Sequence, residues 1–154
     1  MIISYQWLRE WVSPPSDIPH LCDLLTMAGL EVSSTDSVPL VSHRVVVGEV
    51  MTAEVIPNHP GLHLCRVDTG HARTRTIVCG ADNVYAGMKT AVALPGATLG
   101  KAGHVKQRKI AGISSNGMLC SSEELGLDDN ATGIVWLDDD AVVGRSLNRH
   151  LGLD

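Results

Sequence analysis

The spacing of apolar residues changes near residue 44, from a helical period to an alternating one. Ahead of that point Trp7, Leu8, Trp11 and Val12 fall on one helical stripe, and Ser4 stands where an N-cap is needed. Ser13-Pro14-Pro15 ends this helix. Asp17 is placed to cap a second one, with Pro19 in its first turn. Ile18, Leu21, Cys22, Leu24, Leu25 and Ala28 form its apolar side, and Gly29 supplies a left-handed end. Residues 2–4 and 30–32 read as short strands on either side. The result is a β-α-α-β unit of about forty residues, small for independent stability and in need of a partner surface.

Beyond residue 44 the pattern is that of strands. VVVGEVMTAEVI (45–56) is long, with Gly48 as the expected bulge point, and Pro57-Asn58-His59-Pro60-Gly61 is a dense turn signal. LHLCRVDTG (62–70), RTIVCGA (75–81), KTAVALPG (89–96) and HVKQRKIAG (104–112) continue the series, and GIVWL (133–137) is a late strand. In the 104–112 strand Lys106 and Arg108 share a face and Ile110 points inward. Short helices are predicted at 121–125 and 146–151. Short strands at close spacing, joined by glycine-rich turns, argue for a closed or nearly closed barrel. The expected fold is α+β and mainly β, a five-stranded OB-type Greek-key barrel preceded by a small β-α-α-β domain. The expected domains are 1–39 and 40–154.

Composition narrows the class. The chain has no Phe and only 3% aromatic residues, so its core must be aliphatic. No apolar run approaches the ~18 residues of a membrane span. MIISYQWLREWV lacks the basic start and cleavage site of a signal peptide. The expected location is the cytoplasm, with no membrane partner. Cys22, Cys65, Cys79 and Cys120 are scattered and none forms a CxxC pair, so reduced, buried thiols are expected.

The net charge of −5 conceals an uneven distribution. Residues 62–112 carry eight basic side chains against Asp68 and Asp82, whereas the segments on either side are strongly acidic. A positive middle between negative ends suggests an anion-binding face, and a solvated surface of uneven charge fits it equally. Cys120 in SSNGMLCSSEELGL invites a nucleophile reading, but GMLCS matches no nucleophile signature. His59, His63 and Cys65 offer zinc-type ligands astride a Pro-Gly turn, with no second pair at finger spacing. Asp138-Asp139-Asp140 reads as an exposed acidic turn more readily than as a Mg²⁺ site. No phosphate-cradling glycine motif is present. Nucleic-acid binding remains, and with Tyr85 the lone aromatic of the basic middle, phosphate and ribose contacts to folded RNA are favoured over stacking of bases.

WLREWV…LTMAGLEV, followed by VVVGEV, NHP, IVCGADN and SSNGMLCSSEELGL, resembles the N-terminal part of the bacterial phenylalanyl-tRNA synthetase β subunit. The resemblance covers essentially the whole chain. The leader WLREWV…MAGLEV distinguishes it from free tRNA-binding proteins and methionyl-tRNA synthetase tails that share the barrel. It implies a small α+β domain beside a tRNA-binding OB domain, within an α2β2 ligase that uses ATP and Mg²⁺ to charge tRNA with phenylalanine. The implied partners are tRNA, the α subunit and the remaining β-subunit domains. No catalytic residue and no cofactor or metal is expected in this segment, whose end after HLGLD reads as that of an excised fragment. The candidate tRNA contacts are Asn58 and His59 of the first turn, Lys89, Lys106, Arg108 and Lys109 of the basic middle, and Ser115 and Asn116 beyond it. Members of the tRNA-binding family often read His-Pro-Asn-Ala-Asp-Lys-Leu where this chain has Asn58-His59-Pro60-Gly61-Leu62. The missing Asp and Lys move the emphasis to Lys106, Arg108 and Lys109. A freestanding tRNA-binding or RNA-chaperone protein, and a structural spacer that touches no RNA, are the alternatives. Cys120 is expected to be structural, in a loop that closes the barrel.

Overall fold

A computed structural model describes residues 1–36, 41–129 and 132–153. The chain divides into two compact units, residues 1–37 and 38–154. The expected 39/40 boundary falls within 37–40, outside the described residues.

The first unit holds helices α1 (Tyr5–Trp11) and α2 (Ile18–Met27). The Ser4 hydroxyl accepts from Trp7 N–H at 3.4 Å, as its position predicts. Asp17 occupies the N-cap of α2 without a side-chain hydrogen bond, and Gly29 closes it at φ 89° while Leu30 N–H reaches Leu25 O. Trp7 and Trp11 meet edge to face at 6.2 Å, and Tyr5 Oη donates to Pro15 O. The strands expected at 2–4 and 30–32 do not form. Among the described residues neither segment pairs in a ladder, and no helical residue of this unit is buried.

The second unit is mainly β. Strands β1 (Val45–Ile56), β2 (His59–Asp68), β3 (Arg75–Cys79), β4 (Lys89–Ala93) and β9 (Met118–Leu119) form an antiparallel sheet in the order β3-β2-β1-β4-β9. The sheet nearly closes into a barrel because the segment leading into β9 returns to β3. Val78 N–H donates to Ser115 Oγ (3.0 Å) and Asn116 N–H to Thr76 O (2.8 Å). Gly117 makes that return possible: its φ is 136°, and a Cβ there would lie 2.9 Å from Ala93 O. Two short ribbons, β5 (Thr98–Leu99) with β6 (Gly103–His104) and β7 (Arg108–Ile110) with β8 (Ile113–Ser115), complete the strands.

The run VVVGEV is apolar on successive positions because β1 is covered on both faces. Val50 packs inside with Cys65, Val67, Ile77, Val92 and Leu119. Val45 and Val47 pack on the other side with Ala91, Cys120, Leu125, Leu137 and Leu147. Helices α3 (Ser122–Leu125) and α4 (Leu147–His150) belong to this second layer. Asn148 joins it by a paired bond, accepting from Val41 N–H and donating to Val41 O.

Three expectations are corrected here. Gly48 is in regular register opposite Thr90, and the bulge lies at Met51, between Val50 and Thr52. Gly48 is needed for close approach, since a Cβ would sit 2.4 Å from Val92 Cγ2. The 133–137 segment makes an isolated bridge between Leu137 and Lys89 in place of a strand, with Thr90 Oγ1 donating to Val135 O. The 104–112 segment is split between the two ribbons.

Candidate nucleic-acid interface

The split follows from two local features. Val105 is buried and bonded in both directions, its N–H to Ala97 O (2.9 Å) and its C=O to Gly96 N–H (2.8 Å). Ala111 (φ 51°) and Gly112 (φ 77°) then form a two-residue turn that sets Ile110 opposite Ile113. Lys106 therefore lies between strands, and the shared strand face expected for Lys106 and Arg108 does not exist.

The two side chains nevertheless meet at one place. A cavity of about 460 Å³ lies between the end of β3, the two ribbons and α3. Its inner wall includes Val78, Leu119 and Ile134, while His104, Lys106 and Arg108 line it from the ribbons. Lys106 and Arg108 are exposed, and among the described residues the one salt bridge joins Lys101 to Glu123, so neither has a carboxylate partner. His104 Nδ1 shares a hydrogen bond with Thr98 Oγ1 (3.1 Å). Lys109 is exposed on β7 but does not line the cavity. Ala102 and His104 were missed in the sequence because nothing in their neighbours signals that the β5–β6 hairpin shares a cavity with the end of β3.

Of the other candidates, Ser115 lines the same cavity, opposite Arg108 in the β7–β8 ribbon, while Asn58, His59, Lys89 and Asn116 do not. Asn58 (φ 65°) and His59 are exposed at the β1–β2 turn, where Ile56 pairs with His59. Lys89 is half-buried, and its Nζ donates to Asp139 O and to Ala141 O (2.8 Å), holding the acidic turn in place. Ser115 is buried; its Oγ accepts from Val78 N–H and donates to Gly117 O. Asn116 contributes its main-chain N–H to the barrel closure and is half-buried.

Cys120 is fully buried, and its thiol is pushed up from 9.0 to about 12 by burial, with the nearby Glu124 charge adding to the effect. Cys65 is likewise raised to about 12 by burial, then by Cys79. Such thiols are protonated at neutral pH and poor nucleophiles, in keeping with a structural Cys120. His59 is exposed while Cys65 is buried, and no group of three metal-type ligands converges among the described residues.

Residues 45–146 match the family described as "Putative tRNA binding domain". The whole chain is 47% identical to the phenylalanine–tRNA ligase β subunit of Coxiella burnetii and 44% identical to that of Chromobacterium violaceum. It spans only 19% and 20% of those relatives, about a fifth of their length. The crystal structure of a MetRS-related protein from Pyrococcus horikoshii superposes with a TM-score of 0.50 at 27% identity, over 67% of this chain and 87% of that one. Through a family match that runs from the first barrel strand to the C-terminal layer of the core, the chain belongs to the tRNA-binding-domain family.

Proposed function

We propose that this chain is the tRNA-binding part of a phenylalanine–tRNA ligase β subunit, and that it grips structured tRNA by its phosphates through Lys106 and Arg108. The observation that carries this reading is their position: two exposed cations, without carboxylate partners among the described residues, lining one cavity inside the segment matched by the family. Cations so placed attract phosphates and release counterions, giving affinity that falls steeply with salt. Lys109, exposed on the same ribbon as Arg108, extends the grip. Asn58 and His59 form a second exposed point of contact at the β1–β2 turn.

The chemistry of charging belongs elsewhere in the enzyme. ATP, Mg²⁺, the α subunit and the remaining β-subunit domains are its requirements, and this segment supports ATP-dependent charging by holding tRNA. Its place of action is the cytoplasm; no described helix is long and apolar enough to cross a membrane. Titration of the chain with tRNA across a salt series tests the reading. Binding with a strongly negative salt slope is expected. No binding at low salt would favour the spacer role. ATP–pyrophosphate exchange by the chain free of α subunit would contradict its non-catalytic assignment.

A further inference from the structure

The cavity beneath Lys106 and Arg108 is more than phosphate binding requires. A surface that only follows a backbone needs exposed cations, whereas this one is concave, with Val78, Leu119 and Ile134 in its lining beside Ser115, Ser121 and Glu124. Its volume, about 460 Å³, lies within the range of roughly 300–1,000 Å³ typical of small-molecule sites.

The walls are fixed by paired hydrogen bonds. Asn83 clamps Ile134, donating from Nδ2 to its C=O (2.9 Å) and accepting from its N–H at Oδ1 (3.0 Å). Ser121 and Glu124 form a reciprocal capping box at α3, with Ser121 N–H donating to Glu124 Oε2 and Glu124 N–H to Ser121 Oγ. Ser115 Oγ fixes Val78 from the opposite side (3.0 Å). Walls held by such bonds need little further ordering on binding.

We infer that this cavity receives one unpaired nucleotide of a bound RNA, its base against the apolar wall and its phosphate at Lys106 and Arg108. The inference rests on the tRNA-binding reading and deepens it, because it assigns the contact to a loop, bulge or single-stranded end of the RNA. A base within a regular helix cannot enter without leaving its stack, which costs a few kcal/mol, while a base already unpaired avoids most of that cost. Apolar walls here take the part that aromatic platforms play in other single-strand readers, so the scarcity of aromatic residues does not oppose it.

The test compares a perfect RNA duplex with the same duplex carrying a single-nucleotide bulge, at one salt concentration. The wild-type chain should prefer the bulged RNA by about tenfold, the equivalent of ~1.4 kcal/mol. Ala81→Leu and Ala102→Leu each place extra volume at the cavity lining without altering a charge. Ala102 is exposed, so its variant should keep the wild-type thermal midpoint and guard against a folding failure at half-buried Ala81. In folded variants the preference should fall toward unity while duplex affinity stays unchanged. Equal wild-type affinity for the two RNAs, or a preference that survives both substitutions, would overturn the cavity inference and leave the phosphate grip standing. Free AMP bound as tightly as the bulged RNA would overturn it in favour of a free nucleotide. Binding of neither RNA would overturn both the inference and the reading beneath it.

Discussion

Replacing Cys120 separates structural from functional use of the chain's most suggestive residue. Its side chain is fully buried among Val45, Val47, Ala91 and Leu147. Its Sγ lies 3.6 Å from Met118 O, a long contact for so weak a donor. In Cys120→Ser the hydroxyl hangs on a shorter bond and reaches both that carbonyl and the Ala93 main chain that also neighbours the thiol less well, which costs about 1–3 kcal/mol. In Cys120→Ala the polar penalty is absent and a void of methyl size remains, worth about 1 kcal/mol. Serine should therefore be the worse substitution. For a barrel of this size about 1 kcal/mol corresponds to roughly 3–6 °C, so Cys120→Ser should melt about 5–15 °C below wild type and Cys120→Ala about half as far. Thermal melts followed by circular dichroism, with tRNA titration of each folded variant, supply both readouts. Unchanged midpoints together with lost RNA binding would refute the structural assignment.

Three further outcomes are expected. Above pH 9 the unfolded chain ionises its thiols while Cys65 and Cys120 stay protonated in the fold, so stability is fully present below about pH 9 and is lost as pH rises toward 12; denaturant midpoints should fall between pH 8 and 10.5, and a Cys65→Ala/Cys120→Ala variant should lose less over the same interval. Gly117→Ala, at φ 136° and 2.9 Å from Ala93 O, should cost about 1–3 kcal/mol in chemical denaturation, and a wild-type midpoint would show that the barrel does not depend on this close approach. Lys89→Met removes the donor to Asp139 O and Ala141 O and should lower stability by about 1 kcal/mol while leaving RNA affinity intact, whereas weakened binding at unchanged stability would make Lys89 an RNA contact.

The barrel was legible because its signals are local. The continuous valines of β1, the Pro57-Asn58 turn, the alternation of β2 and the short apolar run of β3 each fix an element within a short window. Gly48 misled because a glycine in a strand signals either a bulge or close packing, and only the neighbouring Val92 decides between them. The 104–112 segment misled for the opposite reason. Val105 looks like one more strand residue, and its pairing with Gly96 and Ala97 is a contact that residue order does not display. Ser115 and Lys89 were chosen by residue type, yet the fold engages both with main-chain partners. The cavity could not be read at all, since its lining comes from five separate stretches brought together by barrel closure. What the sequence did show was the pairing of Lys106 and Arg108, though for the wrong geometric reason.

The phosphate grip is tested most directly by Lys106→Ala/Arg108→Ala measured against several tRNAs across a salt series. Each lost phosphate contact reduces the slope of log affinity against log salt by about one, so the double variant should show a slope shallower by about two. Weaker binding at moderate salt, by nearly the same factor for every tRNA, is the predicted result, because phosphate contacts position RNA without reading its sequence. Equal affinities and equal slopes for wild type and variant would contradict the account and leave the barrel a spacer.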